Sequence, residues 1–281
     1  WTSSFNISFN RNKVLSLNDD EPSLASRVNW GNFNNAYPYI AIPGHPIAMF
    51  YGHIFDGVYQ YTDFDKVGES YILKDGVPNN GNAREKIQPG DIKFKDINRD
   101  GVVNDYDLTI IGNPNPKHIG GFGNNFQYKN FDLNVFFQWS YGGDVLNANR
   151  IEFEGGDPNA RTSLNMFASF ANRWTPENQT NELYRIGGQG PAVYSSRTIE
   201  DGSFLRLKTI SLGYRLPNAW LKKINIKSLR VYASAQNLIT WTKYSGPDPE
   251  VSTRPTALTP SFDWSPYPRP RTLTLGVDIS F

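Results

Sequence analysis

Between His118 and Tyr141 apolar and polar positions alternate with a period of two. Phe122, Phe126 and Tyr128 share one face of a first segment, His118 to Tyr128. Leu133, Val135, Phe137 and Trp139 share one face of a second, Phe131 to Tyr141. Gly121, Gly123, Asn125, Gln127, Asp132, Asn134 and Gln138 fall on the other side. Successive side chains of a strand point to opposite faces, so this pattern predicts a hairpin of two long strands turning at Lys129-Asn130. The same alternation sets Phe5, Ile7 and Phe9 against Asn6, Ser8 and Asn10. It sets Leu229, Val231, Ala233 and Ala235 against Arg230, Tyr232, Ser234 and Gln236, and Leu273, Leu275, Val277, Ile279 and Phe281 against Thr272, Thr274, Gly276, Asp278 and Ser280. Ser203 to Leu216 is further strand text. The fold class is therefore all-β. A soluble sandwich would bury the apolar face, whereas a barrel in lipid turns it outward and keeps the polar face in the lumen; alternation is common to both.

The text between these segments differs in kind. Asp19 to Ser26 reads as a polar turn. Ile47 to Tyr61 is aromatic-rich with Gly52 and Gly57 inside, which predicts strands with kinks or bulges. Thr62 to Gly90 reads as an irregular excursion and Gly246 to Pro270 as a Pro-rich loop. From Gly142 to Asp201 the alternation lapses. Within that stretch Leu164, Phe167, Phe170, Ala171 and Trp174 stand at helical spacing before Pro176, predicting a short amphipathic helix over Ser163 to Trp174. Loops this long are uncommon in compact domains and normal on the extracellular side of an outer-membrane barrel.

Composition sharpens the choice. The balance of 28 Lys+Arg against 27 Asp+Glu in 281 residues gives no basic field, which argues against nucleic acid as a partner. Cysteine is absent, so thiolate metal sites, thiol nucleophiles and disulfides are excluded. Mean hydropathy is −0.52 and no apolar run is long enough for a transmembrane helix. A membrane strand needs only about 9 to 11 residues with every second one apolar, so low hydropathy does not argue against a barrel. The 18 Phe, 15 Tyr and 7 Trp beside 24 Gly suit aromatic girdles on strands, with Trp139, Tyr141, Trp241 and Tyr244 near strand ends as candidates for the girdle or, alternatively, for sugar-stacking platforms. The opening residues have no basic region, apolar core or small-residue cleavage site, so a C-terminal fragment of a longer polypeptide is expected.

Residues 90–112 carry the clearest chemical motif, DINRDGVVNDYD, beginning at Asp96. Asp96, Asn98 and Asp100 occupy positions 1, 3 and 5 of a calcium-type loop. Gly101 stands at the sharp turn, Val102 offers a carbonyl at 7, and Asn104 and Asp107 stand at 9 and 12. A hard cation needs six or more oxygens converging at about 2.3 to 2.6 Å, and this spacing can supply them from one loop. Ca²⁺ is accordingly expected, as a structural brace. No flanking helix pair accompanies the motif, which argues against a sensor.

Other chemistry is sparse. His45, His53 and His118 are scattered and read as structural. No nucleophile elbow or local triad signature is found, so an enzyme is not expected. Glu152 and Glu154 read as solvated loop charges. Gly120, Gly121 and Gly123 precede a strand and not a helix, so they read as small residues facing a crowded lumen and not as a dinucleotide site. Trp174, Tyr194, Trp264 and Tyr267 are loop aromatics expected to contact a ligand or a lid.

Six blocks, Pro43 to Gln60, Gly90 to Pro116, Gly120 to Asp144, Ser203 to Pro217, Leu229 to Glu250 and the aromatic C-terminus, together resemble the C-terminal part of the SusC/RagA family of TonB-dependent outer-membrane transporters of Bacteroidetes. The resemblance implies the C-terminal part of a large antiparallel transmembrane β-barrel with long extracellular loops, of which this chain would supply roughly eight to ten strands. It implies a SusD-like surface lipoprotein as partner, and TonB acting through an N-terminal region that is not in this sequence. It further implies outer-membrane lipid around the barrel and oligosaccharides or peptides as cargo. A soluble secreted calcium-braced β-sandwich, serving as a carbohydrate-binding or adhesion module, and a secreted glycan-processing enzyme are the alternatives.

Overall fold

The computed structural model describes residues 1–30, 33–155, 164–192, 194–222, 225–254 and 256–281. Among these, six strands form one antiparallel sheet, the wall: β1 (Thr2–Ser8), β2 (His118–Tyr128), β3 (Phe131–Tyr141), β4 (Phe204–Arg215), β5 (Ser228–Thr242) and β6 (Thr272–Ser280). Each wall strand pairs with the next in chain order. The predicted hairpin forms with its predicted bounds, Phe122 opposite Phe137 and Phe126 opposite Leu133. Lys129 at the turn takes φ 52, the left-handed conformation that a two-residue hairpin connection asks of its first residue.

The registers collect every predicted apolar face on one side. Phe5 lies opposite Phe122, Val135 opposite Ile210, Ile210 opposite Ala235 and Ala235 opposite Leu273. That face has no cover among the described residues: Phe5 is 64% and Leu275 86% exposed. A soluble sandwich needs a second sheet over this face. Among the described residues the wall has none there. Rings gather near both ends of the apolar face. Near one end Trp139 stacks on Phe5, with centroids 5.6 Å apart, and Tyr141 stacks on His118. Near the other Phe131 meets Tyr214 at 4.6 Å and Trp1 stacks on Phe126.

Three excursions, residues 9–117, 142–203 and 243–271, leave the same end of the wall, because Ser8, Ile119, Ser140, Phe204 and Thr242 follow one another as register partners. The hydrophobic core lies here and not in the wall. Val28, Trp30, Tyr39 and Phe50 of the first excursion pack with Leu146 and Ile151 of the second and Phe262 of the third. Trp30 meets Phe262 edge-on at 5.4 Å, and the Tyr39 hydroxyl donates to the Pro260 carbonyl at 2.7 Å. A second cluster joins Val58, Ile92, Phe94 and Val103 to Trp174, Leu183 and Tyr184. At about 1.5 to 3 kcal/mol per large buried side chain, these clusters make the excursions a single packed cap.

Several expectations change. The wall holds six described strands where eight to ten were expected, because Ile47 to Tyr61 pairs inside the cap: Met49–Gly52 with Phe33–Ala41, and Phe55–Val58 with Ile92–Phe94. Leu24–Trp30 is a strand that overlaps the expected turn. Within Thr62 to Gly90, Phe64–Val67 and Ser70–Leu73 form a hairpin. Ser163 lies outside the described residues. The rest of the expected helix is a 3₁₀ turn over Ala168–Asn172, and a helix α1 forms earlier, at Ala148–Glu154. Gly120 belongs to the apolar face, with Trp139 lying across it. Only Gly121 and Gly123 face the polar side, where Phe136 covers Gly121.

Candidate functional site

The acidic loop links the short cap strands Ile92–Phe94 and Thr109–Gly112. Its carboxylates organise the backbone. Asp96 accepts from the Arg99 and Gly101 amides at 2.6 and 2.8 Å, and Asp100 from the Val102 amide at 2.8 Å. Asn98 accepts from the Asp100 amide and Asn104 from the Tyr106 amide. Asp107, 0% exposed, accepts from Ile97 at 2.7 Å, Asn98 at 3.3 Å and Asn104 at 2.9 Å. Gly101 takes φ 83, which glycine adopts without strain. The six expected ligands are thus drawn into one loop. Among the described residues no three acidic or imidazole side chains make a metal-holding group by themselves. A cation here would lean on the neutral oxygens of Asn98, Val102 and Asn104. The loop docks through Asn79, whose Oδ1 accepts the Val103 amide at 2.9 Å.

The four loop aromatics separate. Trp174 is 5% exposed, packs in the second cluster and donates its Nε1–H to Gln60 Oε1 at 3.1 Å. Gly90 lets it sit there, since a Cβ at that position would lie 2.4 Å from the indole. Trp174 therefore acts as a core anchor, with no open face to offer a ligand. Trp264 stacks on Phe153 and packs against the first cluster. Tyr267 is 92% exposed. Tyr194 borders a cleft of about 890 Å³ in the cap, where burial, with Tyr51 and Asp105 beside it, pushes its hydroxyl up to about 12. Tyr244, a girdle candidate, lies instead in the cap junction, 5% exposed, and donates to Asp263. Burial raises the Asp263 carboxyl, against the opposing hydrogen bonds from Tyr244 and from Asn149 at 2.8 Å.

Sequence reading missed the ion pairs. Arg206 of β4, 2% exposed on the polar face, donates to Asp248 at 2.6 Å and Glu250 at 3.1 Å in the third excursion, and to Thr240 of β5 at 3.0 Å. Arg269 closes the set on Glu250 at 2.7 Å. Glu154, expected in solvent, is buried in α1 and holds Arg150 at 2.9 Å and Arg197 at 2.8 Å. Burial would raise its carboxyl, but the two guanidiniums and the Ser169 hydroxyl hold it below the usual range. Glu152 is likewise buried. A strand pattern marks Arg206 as inward but cannot show partners 42 residues away. Between the polar face and the third excursion lies a cavity of about 650 Å³, lined among others by Asn6, Phe136, Gln138 and Glu250.

No protein-family model matches the chain. Its whole length aligns with TonB-dependent receptor P3 of Formosa agariphila at 35% identity over 286 residues, 27% of that protein. It aligns likewise with TonB-dependent receptor SusC of Bacteroides thetaiotaomicron at 29% identity, 24% of that protein. The chain belongs to the SusC-type TonB-dependent receptors. The RagAB peptide transporter structure superposes with TM-score 0.70 over 99% of this chain and 26% of that one, at 23% identity. The closed-closed RagAB peptide importer gives 0.70 at 25% identity, covering 99% of this chain and 27% of that one. The chain thus spans about a quarter of the length of the relatives it matches. In a SusC-type receptor the six strands are an arc of barrel wall, with the apolar face toward lipid and the polar face toward the lumen. The cap lies over one mouth of that arc.

Proposed function

We propose that this chain serves as part of an outer-membrane importer powered through TonB, which takes up oligosaccharides or peptides together with a SusD-like surface lipoprotein. The carrying observation is the wall itself: an antiparallel sheet with an uncovered apolar face, a polar face, short connections at one end and three interpacked excursions at the other. The relatives' names, TonB-dependent receptor and peptide importer, support the reading. The chain's own chemistry supports carriage, since its most buried ion pairs join the excursions to each other and to the wall. Calcium in the acidic loop is part of the proposal, supported by the oxygen positions and the Gly101 turn.

The test is to tag the native gene product, extract it in detergent from the outer-membrane fraction and identify what co-purifies. Recovery with a surface lipoprotein supports the importer; a monomer in the soluble fraction overturns it. For calcium, thermal scans of the extracted protein with and without chelator should differ in midpoint, and identical scans reject the ion.

A further inference from the structure

The cap cleft of about 890 Å³ carries a set of polar heads that the fold leaves unused. Tyr37, Tyr51, Tyr106 and Tyr194 line it, with Asp105 and His53. Tyr37, Tyr106 and Asp105 are exposed and Tyr51 and Tyr194 half-buried; their hydroxyls and the Asp105 carboxylate make no hydrogen bond or ion pair among the described residues and so are free for a ligand, while His53 Nδ1 is a buried atom without a partner there. The scaffold, by contrast, is fixed. The Ser196 amide donates to the His53 carbonyl at 3.0 Å, and the Phe55 amide to Ser196 Oγ at 2.9 Å. The Tyr194 ring lies against Gly52, where a Cβ would come within 2.9 Å of it. Asn104 Oδ1 holds the Tyr106 amide at 2.8 Å, which sets the acidic rim.

The charge is one-sided. Among the described residues no lysine or arginine lines the cleft. The adjoining loop carries Asp96, Asp100, Asp105 and Asp107 against Lys95 and Arg99, so it is negative by itself and balanced when a divalent cation is bound, leaving Asp105 as the carboxylate beside the rings. Aromatic faces beside an unpaired carboxylate favour a cation, through the ring quadrupole and direct ion pairing, and disfavour an anion. The volume lies within the range of ordinary ligand sites.

We infer that this cleft binds a lysine or arginine side chain of a peptide, with Asp105 as counter-ion and the tyrosines as walls. This rests on the importer reading and adds a site and a charge preference to it. A neutral sugar would use the rings and hydroxyls without needing Asp105.

The test is calorimetry on the full-length receptor in detergent, with trilysine, triglutamine and a neutral trisaccharide as probes. Trilysine should bind at least tenfold more tightly than triglutamine, and Asp105→Asn should remove that preference. Tyr106→Ala should weaken trilysine several-fold. Both side chains are exposed and unbonded, so both variants should keep the parent melting temperature. Equal binding of the two peptides, or trisaccharide binding that exceeds trilysine and ignores Asp105→Asn, overturns the inference. In either case recovery of the receptor with its lipoprotein leaves the importer reading standing; recovery from the soluble fraction overturns that reading separately.

Discussion

Arg230 on β5 grips both carboxylate oxygens of Asp132 on β3, at 2.6 and 2.9 Å, by reaching across the intervening strand β4. The reach is open because Gly213 stands between them. A Cβ there would lie 2.5 Å from Arg230 Nη2 and 2.6 Å from Asp132 Oδ1. Arg230 also donates to Asp278 on β6 at 3.1 Å, so one guanidinium ties β3, β5 and β6 together on the polar face. Two-oxygen recognition of this kind is specific to arginine's planar fork.

Gly213→Val should therefore break the two-oxygen grip without touching either charged residue. The expected loss is about 2 kcal/mol, seen as a lower unfolding temperature of the detergent-solubilised barrel on gel mobility. An unchanged temperature would mean the pair contributes nothing to holding the wall.

Arg206→Ala should release the third excursion. It leaves Asp248 and Glu250 with only the exposed Arg269 as cation, a change that costs about 3 kcal/mol. Limited proteolysis should cut within residues 243–271 of the variant while the parent resists. Arg206→Lys should rescue only in part, because an ammonium cannot span Thr240, Asp248 and Glu250 at once.

Asp107→Ala strips three backbone amides of their buried acceptor, at about 3 kcal/mol in total. Hydrogen exchange at Ile97, Asn98 and Asn104 should accelerate well beyond that of the wall amides. Slow exchange at these three positions in the variant would place the loop's order elsewhere.

Acid should loosen the junction around α1. The Glu154 carboxyl is held below its ordinary 4.5 in the folded protein, so it adds stability at neutral pH. That contribution begins to fade as pH falls through 4.5 and is gone below the folded value. Proteolytic susceptibility of the second excursion should rise over this interval, and Glu154→Gln should start less stable and lose that part of the pH response.

Phe262→Ala should cost about 3 to 5 kcal/mol, because the ring is fully buried among residues of all three excursions. Circular dichroism should show the wall strands retained while the cap's aromatic signal is lost. Loss of both together would show that wall and cap unfold as one unit.

The wall was legible in the sequence because its information is local. Alternation over His118 to Tyr141 fixes both the face and the turn, and the register follows from Lys129-Asn130. The turn of the acidic loop was legible for the same reason, since Asp96 to Asp107 with Gly101 between them fall within one twelve-residue stretch. The cap was not. Trp30 and Phe262 meet across the whole chain, and nothing near either residue announces the other. Trp174 was expected to contact a ligand or a lid because it lies in loop text, and its burial depends on Gly90 and Gln60 far upstream. Gly213 and Arg206 were not singled out within the strand text of Ser203 to Leu216, since their importance comes from residues one strand or one excursion away.

The shared core of the three excursions has an evolutionary corollary. Since Tyr39, Leu146 and Phe262 pack in one cluster, altering one excursion exposes hydrophobic surface on the other two. Recombination between relatives should then succeed when all three segments travel together on a retained wall and fail when one is exchanged alone. Diversity among such chains would be inherited in whole caps, with drift confined to rim positions such as Tyr267 that no other segment holds.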